Sequence, residues 1–238
     1  MKDPIFIGSS VAIVTPFTNG MINYDRFHEL IDWQIASGTS AITVCGTTGE
    51  SSTLSSCEYE ELLFKCVEFV DGRVKVIAGA GSNNTMHALD LCHKAEDIGV
   101  DGLLIVTPYY NKTTQPGLIN HYTYIADRVK TPIIMYSVPS RTGMSLSIEA
   151  LKILSQHPMI NGLKDANSNL SQMVGTIAEC GDNLNIWSGN DDETVALMSM
   201  GAKGVISVWA NIEPDKVTSL TEACINAVSY THLTLPTS

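Results

Sequence analysis

Eight short apolar runs punctuate the chain, at residues 5–14, 41–45, 74–78, 102–106, 132–136, 160–163, 184–187 and 204–208. They are rich in β-branched residues and bounded by Gly, Pro, Asn or Asp, the pattern of strands buried on both faces of a parallel sheet. The stretches between them have helical period. Ser55 and Glu58 form a capping box ahead of a stripe of Leu62, Leu63, Cys66, Val67 and Val70. Phe27, Leu30, Ile31, Gln34 and Ile35 make a similar face, ended by Gly38 as a left-handed cap. Further helices are expected over residues 86–98, 118–129, 148–156, 170–179, 193–200 and 214–227. Strict alternation of strand and helix in eight units predicts an α/β fold, a (β/α)8 TIM barrel over residues 1–227, with a doubly wound open sheet as the competitor. Residues 228–238 show neither helical period nor a ninth strand, and read as a foreign or frame-shifted end.

Composition narrows the partners. With 14 Lys and Arg against 25 Asp and Glu, the 238-residue chain carries a net charge of −11, which argues against nucleic acid or an anionic membrane as a partner. No apolar run is long enough to span a bilayer, and Met1-Lys2-Asp3-Pro4 places an acid and a proline where a signal peptide has an apolar stretch. The six cysteines include no Cys-x-x-Cys pair and read as reduced, mostly buried thiols, so a cytoplasmic setting is expected.

Familiar cofactor motifs fail on inspection. Gly79-x-Gly81 meets Asn84 where a dinucleotide fingerprint needs glycine, and Gly46-Thr47-Thr48-Gly49 lacks the Gly-Lys-Ser/Thr of a P-loop. The histidines have no metal-ligand spacing. No cofactor and no metal are expected.

Four polar clusters instead follow predicted strands. They are Gly46-Thr47-Thr48-Gly49-Glu50-Ser51, Thr107-Pro108-Tyr109-Tyr110-Asn111, the stretch from Tyr136 to Gly143, and Gly162-Leu163-Lys164-Asp165. In a barrel all four open on the C-terminal face, where active sites lie. Lys164 is the most informative. Burying an ammonium inside a barrel is costly, so desolvation favours the neutral amine, the form that attacks a ketone to give a Schiff base. The competing reading is a stem packed in the core with its head reaching solvent. Tyr136, Thr47 and Tyr110 can supply a chain of hydroxyls for the proton transfers of imine formation, or be half-buried structural residues. Arg141 offers a planar fork for a substrate carboxylate, though an arginine in such a turn is more often a surface residue. Thr48 can hold a second carboxylate. Gly189 and Ile206 can present backbone groups to the pocket or be ordinary barrel packing.

Taken together, these motifs resemble the dihydrodipicolinate synthase / N-acetylneuraminate lyase group of class I aldolases, in register from about residue 6 to residue 227. The resemblance implies that Lys164 forms a Schiff base with pyruvate and that Tyr136, Thr47 and Tyr110 make a proton relay. In the group, the second tyrosine reaches across a dimer contact into a neighbour's site, which implies a homo-oligomer, a dimer or tetramer. The resemblance further implies Thr48 on the pyruvate carboxylate, Arg141 on the carboxylate of aspartate semialdehyde, and Gly189 and Ile206 as backbone contacts. Arg141 and the Pro-Tyr-Tyr-Asn run favour the synthase side of the group, since the neuraminate lyases lack arginine at that turn. A sugar-acid aldolase and a catalytically inactive carboxylate-binding barrel are the alternatives. Members of the group continue into a further C-terminal helical region, which is expected to be missing here. Finally, lysine-inhibited relatives bind lysine near the positions of Ser51, Ser56, Tyr59, Asn83, His87 and Tyr109. Sensitive bacterial members have histidines at positions 56 and 59 and a glutamate at 87, so the resemblance implies insensitivity here.

Overall fold

A computed structural model describes residues 2–234, and side chains for residues 2–227. Eight parallel strands close into a barrel: β1 (Gly8–Ala12), β4 (Ala41–Val44), β5 (Lys75–Gly79), β6 (Gly102–Val106), β7 (Ile133–Ser137), β8 (Ile160–Asp165), β9 (Asn185–Ser188) and β10 (Gly204–Ser207). β1 pairs with both β4 and β10, which closes the ring and excludes the open doubly wound sheet. The two intervening strands, β2 (Phe17–Thr18) and β3 (Met21–Ile22), form a small exposed antiparallel hairpin after β1. Each of these two strands holds only two residues, too few to carry a periodic signal.

Helices α1 (Tyr24–Ala36), α2 (Ser56–Val70), α3 (Thr85–Ile98), α4 (Gln115–Ala126), α6 (Ile148–Leu154), α7 (Leu170–Cys180), α8 (Thr194–Ser199) and α9 (Pro214–Thr234) wrap the barrel. A one-turn helix, α5 (Pro139–Thr142), sits in the loop after β7. The Ser55–Glu58 capping box forms as its spacing predicts, with the Ser55 N–H donating to Glu58 at 2.8 Å and Ser55 Oγ accepting from the Glu58 N–H. Gly38 follows the end of α1 with φ +85°, a conformation that glycine adopts without a Cβ penalty. The last helix runs past residue 227 to Thr234. The side chains of residues 228–238, which the sequence reading treats as a foreign end, lie outside the described residues.

Two apolar layers divide the molecule. The larger packs helices on the outside of the barrel and includes Phe27, Ile31, Leu62, Leu63, Leu103, Ile105, Tyr122 and Leu163. The smaller fills the barrel's interior with Phe6, Ile77, Leu104, Ile134, Tyr136, Trp187 and Ile206. Phe6 stacks on Trp187 with ring centroids 5.1 Å apart, and Trp187 Nε1 donates to the Phe6 carbonyl, so this pair plugs the barrel's lower end. Gly162 is the enabling residue on β8: a Cβ there would come within 2.4 Å of the Trp187 ring and of the Asn185 carbonyl oxygen. Below the plug, the Lys2 ammonium donates to the carbonyls of Ser155, His157 and Ile160 at 2.6–2.7 Å, tying the N-terminal segment to the loop that enters β8. The lower end is therefore closed, and the open end is the one at which the strands finish.

Candidate active site

Strand alternation sets what faces the interior. Tyr136 on β7 is in register with Lys164 on β8, which is in register with Trp187 on β9. Residues two apart share a face, so Gly162 and Lys164 point inward while Leu163 packs in the outer layer. Asp165 also turns outward, among Ser137, Leu146, Gln172 and Met173. Lys164 stands above the apolar plug, only 5% exposed.

Above it opens a cavity of about 660 Å³, lined among others by Thr43, Thr47, Thr48, Tyr136, Arg141, Lys164, Gly189 and Asn190. Six of the eight residues singled out in the sequence thus converge on one space. The other two do not. Tyr110 is 91% exposed, with φ +68°, outside the cavity of its own chain. Ile206 is fully buried, in the inner apolar layer beneath the cavity. Its side chain is barrel packing, and the expectation that it touches a ligand rests on its backbone alone.

Electrostatics at the cavity floor favour a reactive amine. Burial pushes the Lys164 ammonium down from 10.5 to about 8; the negative charge of Asp191 opposes that shift, and the Arg141 guanidinium reinforces it. Roughly one molecule in ten then carries a neutral amine at pH 7, against roughly three in ten thousand for an ordinary lysine. The Lys164 Nζ lies 4.3 Å from the centroid of the Tyr136 ring, within cation–π range, so the aromatic face receives whatever ammonium remains. Burial raises the Tyr136 phenol above its usual value while Arg141 counters it, so this hydroxyl keeps its proton at neutral pH and can donate it.

The rim is built from loops. Thr47 and Thr48 follow β4, whose next residue, Cys45, has φ +54° although it is not glycine. Gly79 on β5 makes room for that kink, since a Cβ there would lie 2.0 Å from the Cys45 carbonyl oxygen. Arg141 projects from α5, which Val138 and Pro139 anchor by accepting the N–H groups of Arg141 and Gly143. Gly189 donates its N–H to the Asp165 carbonyl at 2.6 Å and lines the cavity. Asp191 is a residue that the sequence reading passed over. Its Oδ2 accepts the backbone N–H groups of Val208 and Trp209 at 3.1 and 3.0 Å. The run Asp191-Asp192-Glu193, which follows Gly189-Asn190 at a strand end, is the signal that could have found it. No helix among the described residues is long and apolar enough to cross a membrane.

Comparison with known proteins gives a consistent result. The sequence model of the dihydrodipicolinate synthetase family matches residues 5–235. A 4-hydroxy-tetrahydrodipicolinate synthase of Geobacter sulfurreducens is 51% identical over 219 residues, covering 92% of this chain and 76% of that protein. Among solved structures, the chloride-inhibited dihydrodipicolinate synthase of Acinetobacter baumannii complexed with pyruvate is 40% identical, with a TM-score of 0.91 over 93% of this chain and 76% of that one. A dihydrodipicolinate synthase of Cyanidioschyzon merolae with lysine bound is 35% identical, with a TM-score of 0.90 over 94% and 77% of the two chains.

Proposed function

The chain belongs to the dihydrodipicolinate synthetase family, and on that premise we propose that it condenses pyruvate with L-aspartate 4-semialdehyde through a Schiff base on Lys164. The observation that carries this reading is a buried, partly neutral lysine beneath a polar cavity. The pyruvate complex of the Acinetobacter relative supports the choice of first substrate.

The neutral Lys164 amine adds to the pyruvate ketone, and the carbinolamine loses water to leave an iminium. Tyr136 supplies a proton to the departing hydroxyl, with Thr47 as the neighbouring hydroxyl and Tyr110 of a second subunit completing the chain. Thr48 holds the pyruvate carboxylate. Loss of a methyl proton gives the enamine, whose carbon attacks the aldehyde carbon of the second substrate. The substrate's own amino group then displaces Lys164, closing the ring of 4-hydroxy-tetrahydrodipicolinate and freeing the enzyme amine. Across the cycle one water is lost and Lys164 is returned unchanged. Gly189 and the Ile206 backbone serve as carbonyl contacts. The exposed Tyr110 at the rim fits a homo-oligomer in which each site borrows a neighbour's hydroxyl.

Direct assay tests the reading. Product should form from pyruvate and aspartate semialdehyde, with little cleavage of N-acetylneuraminate or 2-keto-3-deoxy acids. Faster cleavage of a sugar acid would overturn it.

Arg141→Ala should raise the KM for aspartate semialdehyde by roughly 10- to 150-fold, the effect of losing a charged hydrogen bond of about 1.5–3 kcal/mol. Pyruvate adduct formation should survive, with its acid limb moved to higher pH, because the Arg141 guanidinium helps to lower the proton affinity of Lys164. A folded variant that formed no adduct would place Arg141 on pyruvate instead.

Condensation should also resist lysine. Of the six positions named for lysine, Ser51, Ser56, Tyr59, His87 and Tyr109 line the cavity while Asn83 bonds to the Tyr109 carbonyl outside its lining, and His87 puts no carboxylate there to pair with a lysine amino group. Loss of such a pair weakens binding by roughly 10- to 150-fold. Inhibition by sub-millimolar lysine would contradict this.

A further inference from the structure

We propose that Asp191 is a positioning residue for the reaction: its carboxylate, pinned between the ends of β9 and β10, is the fixed counter-charge to the cation that forms on Lys164. The inference rests on the Schiff-base reading and adds a residue to it.

The geometry is specific. Asp191 follows Gly189 and Asn190, which line the cavity, and its Oδ2 accepts two backbone N–H groups, from Val208 and Trp209. Val208 lines the cavity as well. Two amide donors on one oxygen fix the carboxylate's place. Its other oxygen, Oδ1, is buried and has no hydrogen-bond partner among the described residues. A buried carboxylate oxygen left unpaired is costly, and such a cost persists where something else offsets it. The offset is at hand: of the charged groups that act on Lys164, Asp191 is the negative one and Arg141 the positive one. Tyr136 faces the amine from β7 as a neutral ring. Asp165, next along β8, turns to the outer side of the barrel and interacts there with Glu193.

The arrangement suits a lysine that must be both neutral and cationic in one cycle. Burial and Arg141 favour the neutral amine that attacks. Once the carbinolamine has lost water, the same nitrogen carries a positive charge at a buried position, which is unfavourable without a counter-ion. Asp191 supplies that charge without a contact of its own to substrate, and without the rearrangement that a mobile group would need.

The test compares wild type with Asp191→Asn, which keeps an oxygen for the two amides and removes the charge. Trapping of pyruvate with cyanoborohydride is followed from pH 6 to 9, together with turnover. In wild type the acid limb of trapping should lie near the Lys164 value of about 8. In Asp191→Asn it should move to lower pH, by about half a unit to one unit, because the charge that favoured the ammonium is gone. Turnover should fall roughly tenfold, as for loss of a preorganised charge. Asp191→Glu should restore the limb. Superimposable limbs in wild type and Asp191→Asn would overturn the proposal, as would a loss of turnover that is uniform across pH and tracks thermal stability. Should Asp191→Asn fail to fold, Asp191→Ser gives the same comparison with a smaller side chain. An absence of adduct in wild type would instead overturn the Schiff-base reading, and this inference with it.

Discussion

Lys164→Ala should abolish reductive trapping of pyruvate and reduce condensation to background. Lys164 is the lysine that lines the cavity, and its surroundings lower its proton affinity by desolvation. Lys2, whose ammonium burial also depresses, is tied to three carbonyls below the apolar plug and is out of reach. Lys112, the lysine beside Gly143 near the rim, lies outside the lining of the cavity. The variant should fold, because truncation at position 164 removes an inward side chain above the plug rather than from the outer apolar layer that holds the helices. It should even be somewhat more stable, since a desolvated ammonium is taken away. Mass spectrometry after borohydride treatment decides the matter: an adduct mapped to any other residue, or surviving in the variant, would end the assignment.

Much of this was legible in the sequence because a barrel repeats one pattern. All eight apolar runs are strands, and the run at 102–106 has the same limits in the structure as in the sequence. Clusters that follow strands had to open on one face, so six of the eight candidate residues meet in one cavity. What periodicity and spacing alone could not give is of two kinds. Tyr110 looks like its neighbours as text, yet its left-handed backbone and exposure put it outside its own cavity. Periodicity says nothing of a chain's partners, and the role assigned to Tyr110 needs one. Asp191 was hidden for a different reason. An acidic run on a loop usually means a solvated surface, and only the meeting of β9 with β10 brings the Val208 and Trp209 amides to its carboxylate. The kink at Cys45 is likewise a product of tertiary packing, allowed by a glycine on the neighbouring strand, whereas the exposed β2–β3 hairpin is local, turning at Asn19-Gly20 with both residues at positive φ.

Tyr136→Phe should keep the fold, keep pyruvate binding, and slow condensation by roughly 10²- to 10⁴-fold, the range for losing a general acid–base. The ring is the structural part of this residue. It belongs to the inner apolar layer and covers Lys164 at 4.3 Å, and phenylalanine preserves both contacts. The hydroxyl is the chemical part. Its phenol is held above the usual value by burial, so it is a donor at neutral pH for the proton transfer to the carbinolamine. Rapid-mixing measurements separate the two parts: Tyr136→Phe should slow the appearance of the iminium while leaving the KM for pyruvate within a few-fold of wild type. The defect should also ease at acid pH, where hydronium and buffer acids replace the missing donor, until protonation of Lys164 below about pH 8 removes the nucleophile. The pH optimum of the variant therefore reflects two opposed demands, one for a proton on the leaving oxygen and one for none on the amine. Near-normal turnover in Tyr136→Phe would mean that water, or a hydroxyl from a neighbouring subunit, carries the proton.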